Sequence, residues 1–123
     1  MKKILVVDDE PDVAELIRIY LSSIGYDVDA FLSCEEAMAA LLENKYWAVF
    51  CDYMMPRIMG DKLYYKIKDM DSELARRFII VTGAVVNERL DEFVKNEGLK
   101  VINKPFRLDV LKNTLEELEK GDG

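Results

Sequence analysis

Trp47-Ala48-Val49-Phe50-Cys51-Asp52-Tyr53-Met54-Met55-Pro56 is an apolar run that ends in one acid and is closed by a proline-bearing turn. A run of this length with valine and aromatic residues has the character of a strand buried on both faces. Such strands belong to parallel α/β sheets, where ligands bind in the crevice outside the carboxyl ends of the strands. Asp52 stands at such an end. A carboxylate beside a core is costly unless a cation or a hydrogen-bond donor faces it, so Asp52 implies partners elsewhere in the chain.

Upstream, Lys3-Ile4-Leu5-Val6-Val7 is a second apolar, β-branched run, and it leads directly into Asp8-Asp9-Glu10. Pro11 suits the first turn of a helix, where its missing N–H costs nothing. Val13, Leu16, Ile17, Tyr20, Leu21 and Ile24 follow at helical spacing, and Gly25 is placed to end that helix. A short strand is expected over 27–31. Ser33-Cys34-Glu35-Glu36 has the pattern of a capping box that opens a helix to about Asn44. Downstream of the quoted stretch, Gly60 precedes a helical segment with Leu63, Ile67 and Met70 on one face. Phe78-Ile79-Ile80-Val81-Thr82 reads as another doubly buried strand, ended by Gly83. Asn87 is placed to cap a helix carrying Leu90, Phe93 and Val94, which Gly98 terminates. Val101-Ile102 is a last short strand before Asn103-Lys104-Pro105-Phe106, and Leu108, Leu111, Leu115 and Leu118 mark the final helix.

Five strands alternating with five helices through short connections imply a parallel sheet covered on both faces by right-handed crossovers. The expected architecture is an α/β, flavodoxin-like doubly wound fold with strand order 2-1-3-4-5. One domain over 1–120 and a frayed tail at 121–123 account for the chain. The switch point of that order lies between strands 1 and 3, whose carboxyl ends carry Asp8-Asp9 and Asp52. Thr82 and Lys104 end strands 4 and 5 at the same edge.

Bulk properties exclude several classes. The 123 residues suit a single domain, half of them are hydrophobic, and the formal net charge is −7. That charge argues against direct nucleic-acid binding, which needs a basic face. No apolar stretch approaches the roughly 20 residues of a membrane helix, and the early charges do not suit a secretion signal. Cys34 and Cys51 lie far apart with no metal or redox spacing and read as reduced thiols of a cytoplasmic protein. The chain contains no histidine, which removes histidine-based catalysis and metal ligation.

Three carboxylates brought within a few ångströms repel one another. A hard divalent cation resolves the conflict, and an oxygen-only donor set favours Mg²⁺. Asp9 and Asp52 are assigned as ligands, Asp8 acts mainly through a bound water, and the Met54 carbonyl is the main-chain ligand. A carboxylate, a cation, an ammonium and a hydroxyl around one opening make a phosphoryl site. Asp52 is then the nucleophile that forms an acyl phosphate. Mg²⁺ and Lys104 neutralise the transferring oxygens, and the Thr82 hydroxyl donates to the phosphoryl group once it is present, as a switch requires.

These residues together resemble a known family. Val7-Asp8-Asp9-Glu10, Asp52 with Met55-Pro56 and Gly60, Val81-Thr82-Gly83, and Lys104-Pro105-Phe106 resemble the receiver domain of two-component response regulators, from Lys2 to about Glu119. The resemblance implies phosphoryl transfer to Asp52 from the phosphohistidine of a sensor histidine kinase or a histidine phosphotransfer domain. It also implies Mg²⁺ dependence, a cis Lys104-Pro105 peptide, and a protein output partner docking on the helix after strand 4, strand 5 and the last helix. It leaves room for a phosphorylation-linked homodimer. The segment from Gly60 to Phe78 is similar to receivers at the C-terminal end of hybrid histidine kinases. Two positions depart from the family pattern. Val101 stands where members often carry a Tyr or Phe, so an aromatic swing is not expected, and the switch is either muted or runs through Thr82 and the 83–87 loop alone. Met54 stands where many members carry a polar residue, and its thioether is expected to shield an acyl phosphate and slow self-dephosphorylation.

Two other classes are weighed beside this one. A receiver-like adaptor that is not phosphorylated would keep the fold without the chemistry, and the complete acid, Thr and Lys set argues against it. A phosphatase of the haloacid-dehalogenase type needs a second acid two residues after the nucleophile, where this chain has Met54. Tyr53, Tyr64 and Tyr65 are expected to be packing or surface residues rather than a recognition patch.

Overall fold

The computed structural model describes residues 2–55, 59–83 and 87–122. The turn expected at Pro56 and the middle of the 83–87 loop lie outside the described residues.

Five strands form one parallel sheet: β1 (Lys3–Val7), β2 (Asp27–Phe31), β3 (Ala48–Asp52), β4 (Phe78–Thr82) and β5 (Lys100–Asn103). Their order is β2-β1-β3-β4-β5, as the alternation predicts. Every residue of β3 and β4 is buried, so these are the doubly covered strands that their continuous apolar runs announce. Successive side chains alternate between two cores. Leu5, Val7, Val49, Cys51 and Ile80 face one side, and Ile4, Val6, Phe50, Ile79 and Val81 face the other.

The helices close those two faces. α1 (Pro11–Ser23) and α6 (Leu108–Asp122) cover one of them, through Ile17 and Leu21 on α1 and Leu111 and Leu115 on α6. α2 (Cys34–Glu43), α3 (Gly60–Met70), α4 (Ser72–Ala75) and α5 (Glu88–Glu97) cover the other. Each aliphatic side chain so buried contributes roughly 1.5–3 kcal/mol of transfer free energy.

The ends of the helices follow the local chemistry. Ser33 Oγ accepts from the Glu36 N–H at 3.2 Å at the start of α2, and Asn87 Oδ1 accepts from the Leu90 N–H at 3.0 Å at the start of α5. Gly25 closes α1 with φ at +103°, where a side chain would be strained. Its N–H reaches Ser22 O and the Tyr26 N–H reaches Leu21 O, the paired bonds of a Schellman stop.

Four details differ from the sequence reading. A sixth helix, the single turn α4, is added because Asp71 Oδ1 caps it by accepting from the Leu74 N–H at 3.1 Å. Leu16 and Met70, placed by periodicity on packed faces, are 48% and 51% exposed. The packed stripe of α1 narrows to Ala14, Ile17 and Leu21, and Met70 sits on the last turn of α3, beyond the sheet. α6 runs through Asp122, two residues into the stretch expected to fray, despite Gly121 in its last turn.

Candidate functional site

Strand register places the site. Val7 is level with Cys51, Asp52 with Val81, and Thr82 with Asn103. Asp8 therefore stands beside Asp52, and Lys104 emerges one residue beyond the partner of Thr82. Topology alone thus brings to one edge of the sheet residues that lie 22 to 96 positions apart in sequence.

Asp8, Asp52 and Thr82 are buried at that edge, at 1%, 5% and 1% exposure, and Asp9 is half-buried. One carboxylate oxygen from each of Asp8, Asp9 and Asp52 lies within 4.8 Å of the others. Lys104 Nζ reaches between the acids, 2.9 Å from Asp8 Oδ2, 3.2 Å from Asp52 Oδ2 and 3.6 Å from Glu10 Oε2. The remaining oxygens are held from the backbone. Asp52 Oδ1 accepts from the Met54 N–H at 3.2 Å, and Asp8 Oδ1 accepts from the Glu10 N–H at 2.9 Å. Lys104 is placed by its own main chain, whose N–H donates to Thr82 O at 2.8 Å, and by the cis Lys104-Pro105 peptide that follows.

The electrostatics are unbalanced. Burial raises the Asp52 carboxyl to about 6; the Lys104 charge opposes that rise and the Asp8 charge adds to it. Burial pulls Lys104 down, but its contact with Asp8 and the charges of Asp52 and Asp8 outweigh it, and the ammonium is held above its ordinary value. One ammonium faces three carboxylates. Asp8 Oδ2 is also buried outside hydrogen-bonding geometry, with the Lys104 charge beside it. Clustered hard carboxylate oxygens with one ammonium among them fit a divalent cation. They do not fit a soft metal, and the thiols of Cys34 and Cys51, both buried, belong to the core.

The structure thus assembles Asp8, Asp9, Asp52, Thr82 and Lys104, all singled out by sequence. For Met54 it shows a tie through the N–H to Asp52. Val101 is 37% exposed on β5 and lines a groove of about 280 Å³ between β5 and α5, with Thr82 and Asn87 also on its wall.

A family model of the response regulator receiver domain matches residues 4–116. The chain belongs to this family. The transcriptional regulatory protein RprY of Bacteroides fragilis is 28% identical over 116 residues, which are 94% of this chain and 48% of RprY. The sensor protein EvgS of Escherichia coli is 30% identical over 120 residues, 94% of this chain and 9% of EvgS. The receiver described here therefore spans about half the length of one relative and a small part of the other. Among solved structures, the response regulator TrrA of Thermotoga maritima, in complex with Mg²⁺–BeF, is 31% identical with a TM-score of 0.83, covering 96% of this chain and 99% of TrrA.

Sequence reasoning missed how α5 is fastened to this receiver. Arg89, Phe93 and Glu97 form one stripe of α5, and Asp61, Tyr64, Tyr65 and Lys68 form the facing stripe of α3. Arg89 Nη2 and Nε donate to Asp61 Oδ2 at 2.8 and 3.2 Å. The Phe93 ring lies 5.3 Å from Tyr64, 5.7 Å from Tyr65 and 6.1 Å from Tyr53. Glu97 accepts from Lys68 Nζ at 2.8 Å, Tyr64 OH at 3.0 Å and Tyr65 OH at 3.2 Å, and the Lys68 bond above all lowers its pKa. One signal was available. An arginine in the first turn of a helix opposes the macrodipole, so Arg89 calls for an acid from another element. Tyr53 and Tyr64 are buried packing residues and Tyr65 is 45% exposed at the surface.

Proposed function

We propose that this receiver domain takes a phosphoryl group onto Asp52 from the phosphohistidine of a sensor histidine kinase or histidine phosphotransfer domain. The observation that carries the reading is the convergence of Asp52, the Lys104 ammonium at 3.2 Å and the Asp8–Asp9 pair at one sheet edge. Asp52 Oδ2 attacks phosphorus, the bond from phosphorus to the donor imidazole breaks, and the imidazole keeps the electron pair. Lys104, already shared between Asp8 and Asp52, offsets charge on the phosphoryl oxygens. Thr82, one residue past the partner of Asp52, supplies a hydroxyl to the new group. Asp8, Asp9 and Asp52, with the Met54 carbonyl, are the residues that would hold Mg²⁺, which when bound supplies positive charge opposite the transferring oxygens.

The domain acts as a cytoplasmic signalling module rather than as an enzyme with a separate substrate. Its output partner docks on the α5, β5 and α6 face, and phosphorylation-linked pairing of two copies would use the same face. The test is intact-mass spectrometry after incubation with acetyl phosphate, with and without Mg²⁺, beside Asp52→Asn. A single adduct that needs both Mg²⁺ and Asp52 supports the reading. A folded, Mg²⁺-replete sample that takes no adduct refutes it and leaves the non-phosphorylated adaptor.

A further inference from the structure

The charges of the site do not account for its apolar rim. Met54 is 48% exposed, and its sulfur lies 3.7 Å from Asn87 Nδ2, which donates to it. Asn87 is the N-cap of α5, and its Oδ1 is committed to the Leu90 N–H at 3.0 Å. With the oxygen fixed by the cap, the amide nitrogen is fixed too, and it is aimed at Met54. Met54 lies two residues beyond Asp52, the last residue of β3, and Asn87 lies on the connection leaving β4. Those strands are neighbours, with Asp52 opposite Val81. A bridge from residue 54 to residue 87 therefore joins the connections that leave β3 and β4, the neighbouring strands that end in Asp52 and Thr82.

We propose that Asn87 is a positioning residue that holds the Met54 thioether across the mouth of the phosphoacceptor pocket and so sets how long an acyl phosphate on Asp52 survives. The proposal rests on the reading of Asp52 as phosphoacceptor. In self-dephosphorylation a water oxygen attacks phosphorus, the bond from phosphorus to Asp52 breaks, and the carboxylate keeps its electron pair. The two hydrogens of the water leave on dihydrogen phosphate. An untethered methionine has three rotatable bonds and sweeps freely; a tethered one stands where water must enter. Because the tether is the first residue ahead of α5, a partner that shifts the start of that helix also changes the lifetime of the phosphoryl group. The output surface thereby acquires control over the signal it reads.

The experiment phosphorylates the protein with acetyl phosphate and Mg²⁺, removes the donor, and follows loss of the adduct by intact mass. Asn87→Ser and Asn87→Asp keep an oxygen for the helix cap but present no amide donor to the sulfur. Each is expected to shorten the lifetime about two- to five-fold, the scale of one weak contact, with melting temperatures close to the parent's. Met54→Ala is expected to shorten it at least as much, and adding Asn87→Ser to Met54→Ala is expected to change nothing further. Unchanged lifetimes in both Asn87 variants overturn the proposal, as does an Asn87→Ser effect that persists without the Met54 side chain. A parent protein that takes no adduct overturns the phosphoacceptor reading itself, a result distinguishable from either of those.

Discussion

Asp52→Asn is expected to make the metal-free protein more stable, although it removes half of an ion pair. In the folded chain the carboxyl of Asp52 titrates at about 6 against an ordinary 3.8, with burial the main cause, the Lys104 charge opposing it and the Asp8 charge reinforcing it. The folded state therefore binds more protons than the unfolded state between those values, and stability falls as pH rises through that window. A shift of about two units is worth about 3 kcal/mol at neutral pH, an upper figure. Asparagine has the shape of aspartate without the charge, but it leaves Lys104 with only Asp8 and Glu10 as acid partners. The net gain should be about 1–3 kcal/mol, which for a domain of this size is roughly 3–6 °C in melting temperature per kcal/mol.

The assay is thermal and urea unfolding of parent and variant in EDTA at neutral pH and near pH 5. The variant should melt higher at neutral pH, and the gap should narrow in acid as the parent takes up its proton. Added Mg²⁺ should close the gap from the other side by stabilising the parent more than the variant, through preferential binding to the folded state. An Asn variant less stable than the parent in EDTA at neutral pH would refute the account, and so would a gap that widens in acid. Either result would mean that the Lys104 contacts outweigh the desolvation of Asp52.

Gly60→Ala should be destabilising by about 1–3 kcal/mol, the scale of overpacking, because an added Cβ would sit 3.0 Å from both Asp52 O and Tyr53 Cα; urea unfolding checks it, and a cost under about 0.5 kcal/mol would show that the start of α3 can shift. Tyr53→Phe should be neutral or stabilising by up to about 1 kcal/mol, since Tyr53 OH is buried without a hydrogen-bond partner among the described residues; a clear loss of stability would reveal an ordered water or another partner at that hydroxyl. Arg89→Ala should speed amide hydrogen exchange in α5 several-fold more than in α1, because it removes the tie to Asp61 at the first turn; equal protection of α5 in the two proteins would show that Phe93 and Glu97 hold the helix alone.

The fold was legible because its strands are continuous apolar runs. Buried parallel strands have no polar face, so Ala48 to Cys51 and Phe78 to Val81 admit few other readings, and alternation with helices sets the strand order. Asp8 and Asp52 were legible for the same reason, since each is the first polar residue after a buried apolar run; Lys104 follows Asn103 on the largely uncovered β5 and was placed by the strand order. Pairwise side-chain geometry was not legible. Nothing local says that Asn87 faces Met54 or that Glu97 gathers two tyrosines and a lysine, because those contacts depend on the packing angle of α5 against α3. Periodicity likewise overcounted the packed face of α1, where Leu16 fits the helical spacing yet lies 48% exposed.

With Val101 on β5, a response to phosphorylation needs a route other than the swing of an aromatic ring, and the geometry offers two. Adding a phosphoryl group to Asp52 would raise the local negative charge beside a single ammonium already shared with Asp8 and Glu10. Lys104 can follow that charge by turning its side chain, and any accompanying shift of its main chain would be felt at Thr82 O, to which its N–H is bonded at 2.8 Å. The other route starts at Tyr53, next to Asp52, whose ring meets Phe93 on α5. Because α5 is fastened to α3 at Arg89 and again at Glu97, a push at Phe93 falls between two ties. The helix must then tilt with α3 or break one tie. Of the two, the Arg89–Asp61 tie leaves Asp61 Oδ1 buried without a hydrogen-bond partner among the described residues, which makes it the one expected to yield.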